Sequence, residues 1–206
     1  MALVKLNNRG VRSATTFGSI SALGEMRFIK KLTASGSSTI SFVHGSSDVV
    51  LDNTYKEYLF TFKNIHPSAE SKLGINLSID AGSNYNVTKT TTLFNVQHDE
   101  GDSYGEIAYS ANDDLAQSTA VALLTPGSTG TSNDENLGGF LRLFNPSSSV
   151  FVKHFIAQVN HATSGPATNN CFMAGYGNTT SDVDAVQFSM STGNIDAGDI
   201  CLYGIN

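Results

Sequence analysis

The 206-residue sequence contains no tryptophan, four prolines and two cysteines, and only 15% of its residues are charged. A typical soluble domain has about 25% charged residues. Serine, threonine, asparagine and glycine fill the difference, and this mixture favours strands joined by turns over helices. Without tryptophan, a sugar-binding site would have to rely on tyrosine as its aromatic platform.

Long apolar stretches are also missing. No run approaches the roughly 20 apolar residues that a membrane span needs, and the N-terminal residues lack the apolar core of a signal peptide. We therefore expect synthesis in the cytoplasm and no membrane insertion. Cys171 opens one apolar run and Cys201 lies inside another. Both are predicted to be buried free thiols, although a disulfide between them stays open.

The charges are unevenly distributed along the chain. Residues 1–31 carry six basic side chains against Glu25 alone, whereas the whole chain has a net charge of −6. This asymmetry predicts a basic attachment arm over residues 1–24 and an acidic domain over residues 25–206. The alternative is that the first residues form an edge strand. The basic residues are too sparse to predict nucleic-acid binding. The candidate assembly residues of the arm are Leu3, Val4, Leu6, Arg9, Val11, Arg12 and Phe17.

Short segments of strand-like composition separated by turn residues fill the rest of the chain. Such a pattern predicts an all-β fold, a jelly-roll-like β-sandwich with an extended N-terminal arm. Residues 113–124 could form one or two helical turns. Residues 97–102, 125–139 and 160–170 are predicted surface loops that gather at one end of the sandwich. The predicted strands are residues 25–32, 39–44, 55–64, 73–79, 87–96, 104–109, 140–144, 150–159, 171–176, 183–190 and 200–205.

Residues with catalytic or metal-binding chemistry do not form a recognised pattern. The segment Gly101-Asp102-Ser103 is a weak match to an esterase nucleophile, and no histidine is placed by sequence to serve it. The five histidines show no ligand spacing for zinc. The acidic residues near Asp99 and Asp113 do not follow the spacing of a calcium loop. We therefore predict no enzyme, no catalytic residue, no cofactor and no metal.

Three tyrosines are candidate surface-loop contacts. Tyr104, Tyr109 and Tyr176 lie close to predicted loops, where their rings could stack on a sugar of a host surface. Tyrosine also commonly covers the end of a strand, with its ring on the core and its hydroxyl in water. A glycan-binding role for these residues therefore remains one of several alternatives.

Phrases spread over the whole chain resemble a family. They are residues 1–12, 28–35, 55–67, 143–148 and 193–205. With them, the chain resembles the small β-rich structural proteins of marine tailed bacteriophages, of the kind carried by cyanophages and pelagiphages. The resemblance includes no functional residue that could be carried over.

The resemblance implies a non-enzymatic virion protein on the particle exterior. The first expectation is a tail-fibre or appendage component that assembles through its arm with other virion proteins. It would be a homo-oligomer, and a trimer by analogy with phage fibres. The alternatives are a capsid decoration protein and a glycan-binding module for host recognition.

Overall fold

The computed structural model describes residues 26–206, so the predicted arm and its candidate assembly residues lie outside the described residues. The described chain contains twelve strands and no helix. The strands are β1 Met26–Thr33, β2 Thr39–Val43, β3 Glu57–Pro67, β4 Leu73–Ser78, β5 Lys89–Asp99, β6 Gly105–Tyr109, β7 Ala122–Leu123, β8 Leu137–Phe144, β9 Lys153–Ala162, β10 Ala167–Gly177, β11 Ala185–Met190 and β12 Ile195–Ile205.

The strands form two antiparallel sheets that enclose one core. The large sheet has the order β1-β12-β3-β8-β9-β10-β5-β6, and the small sheet has the order β2-β11-β4-β7. Two facing antiparallel sheets confirm the predicted all-β sandwich. The jelly-roll connectivity stays a prediction. Within the described residues no helix is long and apolar enough to cross a bilayer.

A cluster of phenylalanines joins the two sheets. Phe60 and Phe62 of β3 alternate with half-exposed residues and point towards the small sheet, as the sequence pattern indicates. Phe188 of β11 contacts both rings edge to face, with centroid distances of 5.3 and 5.2 Å. Phe42 of β2 lies 5.3 Å from Phe60. Because all four side chains are buried, this cluster holds the two layers of the sandwich together.

Residues 113–124 correct a prediction, because they form no helix. Their backbone groups bond to neighbouring strands instead: the Leu115 amide donates to Thr91 Oγ1, and the Leu124 amide donates to the Leu73 carbonyl. Two of these residues become β7 and pair with β4. The segment also covers the outer side of β4, so every residue of that strand is buried. Apolar spacing alone could not distinguish this strap from a short helix.

The sulfur chemistry agrees with the prediction from composition. Cys171 and Cys201 are both buried and both free. Burial raises the pKa of the Cys171 thiol to about 12, because a thiolate would lose its hydration there. The thiol of Cys171 therefore stays protonated at neutral pH and behaves as a small apolar side chain.

Candidate functional site

The large sheet has one face against the core and an opposite, outer face. In its last four strands, β9, β10, β5 and β6, the strand registers place the outward side chains in neighbouring rows. Among these outward side chains there is no carboxylate, lysine or arginine. They are Thr90, Thr92, Phe94, Val96, His98, Ile107, Tyr109, His154, Ile156, Gln158, Asn160, Ala162, Thr168, Asn170, Phe172, Ala174 and Tyr176.

One row of this outer face is an aromatic ridge. Tyr109, Phe94 and Phe172 are direct cross-strand neighbours on β6, β5 and β10. The rings of Phe94 and Phe172 stack with centroids 4.9 Å apart and planes 10° from parallel. Phe140 of β8 continues the row beyond Gln158 of β9. The rings of β6, β5 and β10 form an unbroken line, and Gln158 separates them from Phe140, because every strand presents alternate residues to the same face.

A groove lies beside the ridge, and on each strand its residue is two positions away from the residue of the ridge row. Thr92, Ala174 and Ile156 form its floor as cross-strand neighbours on β5, β10 and β9. On the far side, His154 and Tyr176 form the other wall, with ring centroids 5.9 Å apart. Two adjoining depressions of about 370 and 250 Å³ occupy this groove. The outer face therefore has a ridge and a groove and is not flat, in addition to being largely apolar.

The exposed apolar area is comparable to the largest patch of a typical monomer. Phe94 is 43% exposed, Ile107 77%, Tyr109 57% and Ile156 49%, and Val96 is also exposed. With about 150–250 Å² for a full side chain, these five expose roughly 500 Å². The largest apolar patch of a typical monomer is about 300–600 Å² and is often functional. Apolar side chains in this arrangement indicate a contact surface.

The two edges of the large sheet differ. At one edge, β1 carries Lys30 and Lys31, and its pairing with β12 is interrupted by a bulge at Phe28. Lysines and bulges both hinder the addition of another strand. At the other edge, β6 has no lysine and exposes Ile107 next to the aromatic ridge. The exposed apolar face therefore continues to an edge strand that has neither lysine nor bulge and carries one exposed charge, Glu106.

An acidic pocket of about 470 Å³ lies at one end of the outer face. Its lining comes from all three predicted loops, so the expectation that they gather at one end is confirmed. The extents of all three loops need correction, because residues 160–170 are mostly β9 and β10 joined by a tight turn, and because β5 extends to Asp99 and β8 begins at Leu137. The Glu100 amide donates to the Pro166 carbonyl and ties two of the segments together. The lining includes His98, Asp99, Glu100, Asp134, Asn136, Asn160 and Thr168.

The carboxylates of this pocket are not equivalent. Asp99 accepts hydrogen bonds from the Ser103 hydroxyl and from the amides of Ser103 and Tyr104. These bonds lower the pKa of Asp99 and commit its carboxylate to the turn between β5 and β6. Glu100 and Asp134 supply the remaining negative charge of the lining. The pocket can therefore receive a hydrogen-bond donor or a cation.

The three predicted contact tyrosines do not form one cluster. Tyr104 lies in the β5–β6 turn, Tyr109 ends β6, and Tyr176 is the next-to-last residue of β10, so each lies close to a loop. Tyr176 belongs to a longer strand than its short apolar run indicated. Tyr109 and Tyr176 share the outer face, two strands and four residues apart, or roughly 16 Å. The Tyr109 hydroxyl donates to Asp114, 2.5 Å away.

A buried polar cluster contains residue types found in cysteine hydrolases. Asn169 and His161 are cross-strand neighbours, and Cys171 Sγ lies 3.6 Å from Asn169 Oδ1. All three side chains are buried, and burial lowers the pKa of His161 to about 4. The neutral His161 imidazole lies against Thr129 and the protonated Cys171 thiol lies against Asn169, so both groups are buried packing groups. Sequence reasoning missed this cluster because its members meet only through strand register.

Two buried lysines also escaped the sequence analysis. Lys89 Nζ donates to Asn76 Oδ1 and to the Val87 carbonyl. Lys153 Nζ donates to the carbonyls of Ser148, Phe151 and Thr179. Each ammonium replaces its hydration with protein oxygens, as a buried charge requires. Lys89 and Lys153 each lie on the inward-facing side of a strand, where alternate residues are usually apolar. The lysine side chain itself gives no sign of burial, so it could be inferred only from the alternation of the neighbouring residues.

Over residues 26–206, no group of three or more His, Cys, Asp or Glu side chains is arranged to hold a metal ion. Comparisons of the chain with protein-family models, curated proteins and solved structures find no match. The surfaces described above, and the residues that form them, are therefore the features that bear on function.

Proposed function

We propose that this chain is a non-enzymatic structural component of the exterior of a phage particle. The observation that supports it best is the outer face of β9, β10, β5 and β6, where exposed aromatic and aliphatic side chains share the surface with uncharged polar ones and Arg142 of β8 borders it beside Ile156. Such a surface is expected of a protein that is covered in an assembly. The Ser-, Thr- and Asn-rich composition and the resemblance to marine phage structural proteins agree with this role.

Within that role, residues 1–24 attach the domain to other virion proteins, and the sandwich projects from the particle as a tail fibre or appendage. The support comes from charge: residues 1–31 have a balance of +5, and the remaining residues have one of −11. Opposite signs favour contact between the arm of one copy and the acidic surface of a neighbour. The domain is a homo-oligomer in this proposal, with its loops outward.

The test is incorporation of a chain that lacks residues 1–24 into particles. We expect the truncated domain to fold with an unchanged all-β circular dichroism spectrum but to be absent from purified particles. A matched variant with Arg9 and Arg12 replaced by Gln separates the basic residues from the rest of the arm. Normal incorporation of the truncated chain would refute attachment through the arm.

Copy number separates two positions on the particle. Tens of copies favour the tail, and hundreds favour a capsid decoration protein. Quantitative mass spectrometry of purified particles, scaled to the major capsid protein, measures this number. Detection of the chain only in lysate, with none in the particles, would refute the structural role itself.

A glycan-binding role is the second candidate, and the acidic pocket favours it. Glu100, Asp134, Asn136 and Asn160 surround an open volume with oxygens and amides, groups that bind sugar hydroxyls. Binding on a glycan array that is lost in Asp134→Ala and Asn160→Ala would support it. Retention in Tyr104→Ala and loss in Tyr176→Ala would instead place the sugar on the outer face.

A further inference from the structure

We infer that the outer face formed by β9, β10, β5 and β6 is the contact surface for a second copy of this chain. The inference deepens the proposed function, because it names the partner that covers the exposed apolar face. Three features support it, namely the electrical neutrality of the face, its area, and the arrangement of its ridge and groove.

Neutrality identifies the kind of partner. The described chain is acidic overall, yet the outward side chains of these four strands include no carboxylate, lysine or arginine. A basic partner would be attracted to the acidic pocket and would gain nothing from this face. A partner with an equally uncharged apolar surface can cover it without burying an unpaired charge. A second copy supplies such a surface.

Area is consistent with a stable contact. The roughly 500 Å² of exposed apolar side chain on this face compares with about 800 Å² per partner in a standard interface. Half-buried polar residues of the same face, such as Gln158 and Asn170, add polar area to it. The core of an interface is more apolar than its rim, and the aromatic ridge lies near the centre of this surface.

Shape makes the face complementary to itself. The ridge of Phe94 and Phe172 and the groove floored by Thr92, Ala174 and Ile156 are parallel rows, two residues or about 7 Å apart. A two-fold axis in the interface, parallel to the rows and midway between them, places each ridge against the partner's groove. The same rotation puts the two acidic pockets at opposite ends of the contact, so their charges stay apart.

Sedimentation velocity over a range of concentrations tests this inference. Ala174→Arg and Ile156→Glu place charges of opposite sign in the groove, where both native side chains are exposed and off the core. We expect wild type to dimerise and each variant to dimerise at least about 100-fold more weakly. Phe151→Glu is the matched control, since Phe151 is 68% exposed in the β8–β9 turn, and it should dimerise like wild type.

Circular dichroism and thermal melting confirm that each variant is folded before its association is compared. A wild-type chain that remains monomeric at about 100 μM, or an oligomer that both groove variants leave intact, would overturn the inference. Comparing particles that carry wild type with particles that carry Ala174→Arg distinguishes the dimer contact from the structural role. If a monomeric Ala174→Arg chain is incorporated, assembly does not need the dimer contact. If wild type itself is absent from particles, the structural role is refuted.

Discussion

The pH dependence of stability should reveal the buried Lys89. Lys89 is the first residue of β5, and its side chain is fully buried. Its Nζ donates hydrogen bonds to Asn76 Oδ1 and to the Val87 carbonyl. No carboxylate contributes to its environment, and burial lowers its pKa to about 8. An ordinary lysine has a pKa of about 10.4, and the difference corresponds to roughly 3 kcal/mol.

The sign follows from proton binding in the two states. Between pH 8 and about 10.4 the unfolded chain binds more protons at this residue than the folded chain, so stability rises with pH. Below pH 8 both states are protonated, and the folded state carries the whole cost of burying the ammonium. Raising the pH from 7 to 9.5 removes about 2 kcal/mol of that cost.

Lys89→Met isolates this contribution, because Met has a similar length and does not titrate. The free energy of unfolding of wild type relative to Lys89→Met should increase by about 2 kcal/mol from pH 7 to pH 9.5. In urea denaturation this is a relative shift of about 1 M in the midpoint, for a slope near 2 kcal/mol per M. The raised pKa of Cys171 acts in the opposite direction but is common to both proteins.

An exposed lysine provides the control. Lys63 lies on β3 with an exposed side chain, so Lys63→Met should give a pH profile parallel to that of wild type. Parallel profiles for wild type and Lys89→Met would refute the reasoning, because they would mean that the Lys89 ammonium is as well solvated in the folded chain as in the unfolded chain.

Three further predictions concern the core and the backbone. Phe188→Ala should lower the free energy of unfolding by about 3–5 kcal/mol, and a loss below 1 kcal/mol in urea denaturation would contradict the central place of the phenylalanine cluster. From pH 7 to 4.5, wild type should lose about 2 kcal/mol relative to His161→Gln, because the unfolded imidazole protonates first; equal acid profiles would count against burial of a neutral His161. Gly198→Ala should lower the melting temperature, because Gly198 lies at an irregularity of the β12–β3 pairing with φ of +114°, and an added Cβ would lie 2.5 Å from the Asn64 carbonyl oxygen; an unchanged melting temperature would mean that this irregularity rearranges freely.

The sequence predicted the elements of the fold well, because strand signals are local. Alternation of Tyr58, Phe60 and Phe62 identified the core face of β3, and turn residues marked most strand boundaries. All eleven predicted segments overlap strands of the structure. The burial of both cysteines and the convergence of three loops also followed from composition and position. The strand missed was β7, which has only two residues and lies in the strap over residues 113–124.

The candidate surface was beyond the reach of sequence reasoning. Phe94, Phe140 and Phe172 lie in three segments, and nothing local shows that their strands share a sheet with the rings on its outer side. In a half-buried strand the two faces are distinguished by polarity, and here the outer face is apolar enough to obscure the distinction.

By itself, then, the sequence determined the all-β class, the strand positions and the asymmetry of charge, because each depends on residues adjacent in the chain. The tertiary structure alone decided which strands are neighbours, and with them the aromatic ridge, the acidic pocket and the burial of Lys89. These features arise where strands that are far apart in the chain pair in one sheet. Local sequence does not specify which strands pair, so these features could not be predicted from it.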